Sequence, residues 1–267
     1  MTRRPAVAGQ FYPGTAERLA AFLREAVPHE PAPVRALGVV APHAGYIYSG
    51  GVAGKVFGRV LVPDTVVLLG PNHTGLGTPA SILSRGTWLT PLGPVPVAEA
   101  LADALKAACP LLEEDALAHA HEHSLEVELP FLQHRNPSVQ IVPIAFLLRG
   151  ADDIEEVGEA IGGVLAGWPE PVLLVASSDM THYEPHAVAQ RKDAEAIERV
   201  LALDPRGLLE TTRSRRISMC GVIPTAVLLT AARRLGATRG ELVAYATSGE
   251  TSGDYERVVG YAGMLVV

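Results

Sequence analysis

The sequence predicts an α/β domain, a mostly parallel sheet with helices on both faces. Three observations carry that expectation. Short apolar runs rich in β-branched residues, such as Leu37-Gly38-Val39-Val40 and Thr65-Val66-Val67-Leu68-Leu69, have the continuity of strands buried on both faces. Between the runs, apolar residues recur at helical spacing, so strand and helix alternate from end to end. The chain has 267 residues, 48% of them apolar, which suits one large core, and residues 1–267 are read as a single domain.

The elements follow in order. Arg3 to Pro13 is an irregular opening that ends in the turn Phe11-Tyr12-Pro13-Gly14. Thr15 suits the N-cap of a helix through Leu19, Phe22 and Leu23. Pro28 to Pro33 is a short connector to the strand Leu37 to Val40. After it comes Ala41-Pro42-His43-Ala44-Gly45-Tyr46, a strand-to-helix turn, with the helix expected over Gly50 to Val60. Thr65 to Gly70 is a second buried strand and ends in Pro71-Asn72-His73. Ala80 to Leu83 and Thr87 to Thr90 are short strands divided by Arg85-Gly86, and are read as one hairpin lip.

Val97 to Ala108 is a helix. Ser124 to His134 carries Leu125, Leu129 and Leu132 on one face and is helical, either kinked by Pro130 or started late because of it. Val139 to Phe146 is a strand and Ile154 to Leu165 a helix. The strand Val172 to Ala176 leads into Ser177-Ser178-Asp179-Met180-Thr181-His182. Helices follow at Ala187 to Ala202, after Pro205, and from Gly221 to Leu235. Leu242 to Thr247 and Val258 to Val266 close the chain as an antiparallel pair of strands.

Composition narrows the function. The net charge is -7, and the longest basic cluster is Arg213-Ser214-Arg215-Arg216, which disfavours nucleic acid as a partner. No apolar run reaches the ~20 residues of a membrane helix, and no charged-then-apolar leader opens the sequence. A cytoplasmic protein with no membrane association is expected. Two cysteines are too few for a disulfide scaffold. No Walker loop, strand-linked G-x-G-x-x-G or G-x-S-x-G elbow is present, which removes the usual nucleotide anchors and an α/β-hydrolase.

His43, His73 and His182 each follow a strand within a few residues. Ligands gather at the carboxyl ends of strands in open α/β sheets, and imidazole is the commonest metal ligand. One such histidine alone reads as a loop side chain, whereas three point to a shared crevice. Cys220, just before a helix, reads equally as a thiolate favoured by the helix dipole or as a small buried residue. In the stretch His119-Ala120-His121-Glu122-His123-Ser124, His119 and His121 are expected to be exposed and His123 to face the site. Asp179 either orients an imidazole or makes a local Asx turn. Tyr12, Tyr46 and Tyr48 offer an aromatic wall.

Taken together, Ala8-Gly9-Gln10-Phe11-Tyr12-Pro13, Ala41-Pro42-His43-Ala44-Gly45-Tyr46, Gly70-Pro71-Asn72-His73, Glu122-His123-Ser124-Leu125-Glu126, Ser177-Ser178-Asp179-Met180-Thr181-His182, Met219-Cys220-Gly221 and Val259-Gly260-Tyr261-Ala262 resemble the Memo family over nearly the full length. The resemblance implies a three-layer α/β/α sandwich around a mixed sheet, shared with class III extradiol ring-cleaving dioxygenases. It also implies His43, His73 and Cys220 as metal ligands and His182 as an acid/base, with His123 and Asp179 beside them in the site. The implied metal is Fe(II), with copper or zinc as alternatives, and the implied substrate is an unidentified small molecule. Bacterial and archaeal members are associated with a radical S-adenosylmethionine protein, which suggests a pathway link.

One departure matters. The extradiol enzymes hold Fe(II) with two histidines and a carboxylate, and Cys220 stands in the carboxylate's place. The leading expectation is therefore a dioxygenase-like oxidoreductase. The competing readings are an adaptor for a phosphorylated or anionic ligand, assisted by Arg213, Arg215 and Arg216, and a zinc-dependent hydrolase.

Overall fold

The computed structural model describes residues 1–30 and 32–267; Pro31, inside the proline-rich connector, lies outside the described residues. In chain order the elements are β1 (Thr2–Arg3), α1 (Ala16–Ala26), β2 (Gly38–Ala41), α2 (Tyr46–Arg59), β3 (Thr65–Pro71), β4 (Ala80–Ile82), β5 (Thr87–Thr90), β6 (Gly93–Pro96), α3 (Glu99–Ala108), β7 (Glu113–Glu114) and α4 (Leu117–Ala120). A 3₁₀ turn at Glu126–Glu128 leads into α5 (Leu129–Arg135). Then come β8 (Gln140–Phe146), α6 (Ala151–Ala166), β9 (Val172–Ser177), β10 (His182–Glu184), α7 (His186–Leu201), α8 (Pro205–Arg215), α9 (Val222–Arg234), β11 (Gly240–Thr247), α10 (Gly249–Ser252) and β12 (Val258–Val266).

The main sheet runs β10-β12-β2-β9-β3-β8-β4-β7, with β11 also paired to β12. Its centre is parallel: β2 pairs with β9, β9 with β3, and β3 with β8. Both margins carry antiparallel strands, β12 against β2 and β4 against β8. The expected antiparallel closing pair is β11 and β12. Helix α2 packs on β2, β11 and β12, with α1 and α5 beside it, while α9 covers β2, β3, β8 and β9 and is backed by α6 and α8. The result is a three-layer α/β/α sandwich, and the central strands are buried on both faces as their unbroken apolar runs require.

Two local expectations change and one choice is decided. Ala80–Ile82 and Thr87–Thr90 are not one hairpin. β4 joins the main sheet, whereas β5 turns back through Gly93 onto β6 and also pairs with β1 in a separate small sheet. Helix α2 begins at Tyr46, four residues before the expected start. Gly50 lies inside it because a Cβ there would meet the Phe22 ring of α1 at 2.6 Å, so close helix packing outweighs glycine's poor helix propensity. Of the two outcomes open at Pro130, the late start is found. The proline sits in the first turn of α5, where its missing N–H costs nothing.

Candidate metal centre

Because β2, β9 and β3 are adjacent and parallel, their carboxyl ends open side by side. Ala41 pairs with Ser177 and Leu69 with Ala176. His43 and His73 each stand two residues beyond their strands, at Ala41 and Pro71. The loop before α5 adds His123 to the same place. One ligating atom from each of His43, His73 and His123 lies within 4.8 Å of the others. The ring centroids of His73 and His123 are stacked at 4.7 Å, and both rings are edge-on to His43. The loop before α9 contributes Cys220, whose Sγ lies 3.2 Å from His43 Nε2.

Behind these atoms the protein fixes the rings. His73 Nδ1 donates to Glu122 Oε1 at 2.9 Å, and the same buried carboxylate accepts from the backbone N–H of His73 and of Ser124. Burial alone would push Glu122 up, but the bonds and potential of His73, the Ser124 N–H and His123 outweigh it and hold the carboxyl at about 2. His43 Nδ1 lies 2.7 Å from Ser177 Oγ. Burial, with His123 and His73 next in effect, holds His43 well below the ordinary imidazole range, which keeps it neutral and able to ligate. His182 Nδ1 donates to the Ser218 carbonyl at 2.9 Å, leaving its Nε2 free.

Several expectations are corrected. Asp179 does not orient an imidazole: its Oδ1 accepts the backbone N–H of His43 at 2.8 Å and of Ala44 at 3.3 Å, and so holds the turn into α2. Glu122 does the orienting instead. His123 faces the site as expected, within the imidazole cluster, while its neighbour Glu126 turns away to Arg3 and Tyr12. His119 is buried, not exposed, with Nε2 on the Ser81 carbonyl; His121 is exposed as expected.

Tyr12 and Tyr46 form no open wall. Both are buried and their hydroxyls donate to Glu126 and to the Val127 carbonyl, so only Tyr48 reaches solvent. Burial, followed by the charge of Asp179, pushes Cys220 well above the thiol range, despite the Asp179 N–H donated to Sγ at 3.2 Å. Gly221 makes this position reachable, since a Cβ there would run into the Ser177 carbonyl and the Ser178 side chain.

The Memo-like protein family matches residues 3–265. The chain belongs to the Memo family. A MEMO1 family protein of Methanopyrus kandleri is 46% identical over 99% of both chains, and one of Methanosarcina barkeri is 44% identical, again over 99% of both. Among solved structures, an uncharacterized protein from Escherichia coli K12 shares the fold, with a TM-score of 0.57 and 14% identity over 86% of this chain and 100% of the other. Family membership places the chain in the extradiol-dioxygenase-like superfamily. Among the described residues no helix is long and apolar enough to cross a membrane.

The sequence singles out the histidines and Cys220 but assigns no role to Glu122, Ser177 or Ser218. Glu122 had a visible signal, standing next to His123 in the densest ionisable stretch. The two serines had none.

Proposed function

We propose that this Memo family chain is a metal-dependent oxidoreductase acting on a small substrate, with its metal held by His43, His73 and Cys220. The observation that supports it best is the convergence of three imidazoles within 4.8 Å, with Cys220 Sγ against one of them. The residues suit a metal. His73 Nδ1 is committed to a protein oxygen, which leaves the other ring nitrogen for a cation, the arrangement usual for ligating histidines. The high thiol pKa of Cys220 also fits a ligand that ionises against a cation and stays protonated without one. Fe(II) is the ion proposed, with copper or zinc as alternatives, since imidazole suits all three and thiolate moves preference toward the softer ions.

When bound, such an ion supplies a Lewis acid and, as iron or copper, a redox centre with positions open to substrate. The chain's own residues do the rest. His182, with its proton locked on the Ser218 carbonyl through Nδ1, presents a bare Nε2 as general base and later acid. His123 lies close enough to share the cation or to hydrogen-bond a substrate oxygen. Asp179 keeps the His43 turn in place through two backbone bonds. Phe11 packs against His123, with the ring centroids 4.8 Å apart.

Anaerobic titration with Fe(II), followed by O2 uptake with candidate catechols, tests this reading. Stoichiometric binding that weakens more than about 100-fold in His43→Ala is expected. Absence of stoichiometric binding, or equal binding by His43→Ala, overturns it.

A further inference from the structure

Three polar atoms converge on the buried hydroxyl of Ser177 at the end of β9. They are His43 Nδ1 at 2.7 Å, the Ser124 carbonyl oxygen at 2.7 Å and Glu128 Oε1 at 3.0 Å. A serine hydroxyl has one proton to give and two lone pairs to receive with. The carbonyl can only accept, so the serine proton goes to Ser124. The other two atoms must then be donors. His43 carries its proton on Nδ1, and Glu128 is the carboxylic acid rather than the carboxylate. Any other arrangement sets two lone pairs against each other at hydrogen-bond distance in the core, where an unmade bond is costly.

The surroundings of Glu128 agree independently. Its side chain is fully buried, and its second oxygen, Oε2, has no hydrogen-bond partner. An ionised carboxylate with one oxygen bare in the core carries a large desolvation cost, whereas the neutral acid leaves only one uncharged carbonyl-type oxygen unused. Burial also raises the Glu128 pKa well above the carboxylate range.

We propose that Glu128 works as a neutral hydrogen-bond donor, a positioning residue that acts through Ser177 to hold His43 in its Nδ1–H tautomer with Nε2 bare toward Cys220. Donation from Glu128 fills one serine lone pair and denies the serine a carboxylate to donate to. The serine proton therefore stays on Ser124, and the remaining lone pair is the one His43 meets. The unprotonated Nε2 lies 3.2 Å from Cys220 Sγ, hydrogen-bond distance for the protonated thiol, so the imidazole lone pair and the sulfur face one another. This deepens the metal reading but is visible in the metal-free chain.

The test reads imidazole tautomers by ¹⁵N NMR on histidine-labelled, metal-free protein, and the Glu128 carboxyl by infrared difference spectroscopy against Glu128→Gln, both at neutral pH. The wild-type chain is expected to show His43 protonated on Nδ1 and a protonated-carboxyl band that Glu128→Gln removes. Glu128→Gln keeps a neutral donor, so its tautomer and Zn(II) affinity should match the wild type. Glu128→Ala should give a mixed tautomer and Zn(II) binding weakened about 10-fold or more. An Nε2–H tautomer in the wild type, a missing acid band, or a Gln variant that behaves like the Ala variant overturns the proposal. The tautomer spectrum needs no metal and is read on the wild type, so it decides even if a variant fails to fold. A chain with the expected tautomer that binds no metal overturns the metal reading alone.

Discussion

At Glu122 one buried carboxylate receives the N–H and Nδ1–H of His73 and the N–H of Ser124, with His123 Nδ1 3.5 Å away. Glu122→Gln keeps the shape but weakens acceptance from the ring, so metal affinity should fall about 10- to 100-fold with little loss of fold, measurable by Zn(II) calorimetry beside thermal unfolding. His119 supplies a pH prediction. Burial lowers it from 6.5 to about 4. As pH falls below 6.5 the unfolded chain takes up a proton that the folded chain refuses until about 4. Stability is therefore full above that window and falls through it, by on the order of 3 kcal/mol. Denaturant unfolding at several pH values checks this, and His119→Gln should flatten the slope. The histidines could be read from sequence because each sits in a short motif beside its strand. Ser177 could not, because its role depends on a contact 134 residues away, and Glu122, though visible beside His123, meets its partner His73 only across 49 residues.

The N-terminal segment, which in sequence is only an irregular opening, acts as a strap at the level of elements. Arg3, buried in β1, pairs with Glu126 and donates to the carbonyls of His119 and Glu122, with its guanidinium 4.3 Å over the Trp88 ring. Glu126 also accepts from Tyr12 and from the N–H of Ala6 and Val7. Removing one partner of a buried pair strands the other, so Arg3→Ala should cost about 3–5 kcal/mol in equilibrium unfolding. The loop before α9 depends on a glycine in the same way. Gly221→Ala must push the loop off Ser177 and Ser178, so it should displace Cys220 and weaken metal binding while the β-sheet circular dichroism stays intact. Neither device could be read from the sequence, since both rest on tertiary approach rather than local pattern. The proline at the start of α5 could be, because its effect is local.

Over the whole molecule, the central strands were legible because burial on both faces forces continuous apolar runs. The small sheet of β1, β5 and β6 was not, since its strands are two to four residues long and partly exposed. The adjacency of β2, β9 and β3 turns three loops distant in sequence into one site, as expected at the carboxyl ends of a parallel sheet. On the proposed reading, what the chain does there depends on the ion that His43, His73 and Cys220 would hold. The most direct measurement is elemental analysis of protein purified without added metal, set beside His43→Ala and Cys220→Ser. A near-stoichiometric transition metal, foremost iron, that both substitutions deplete is the expected result. Wild-type protein that contains no metal and takes up none, or variants that retain it fully, would contradict it.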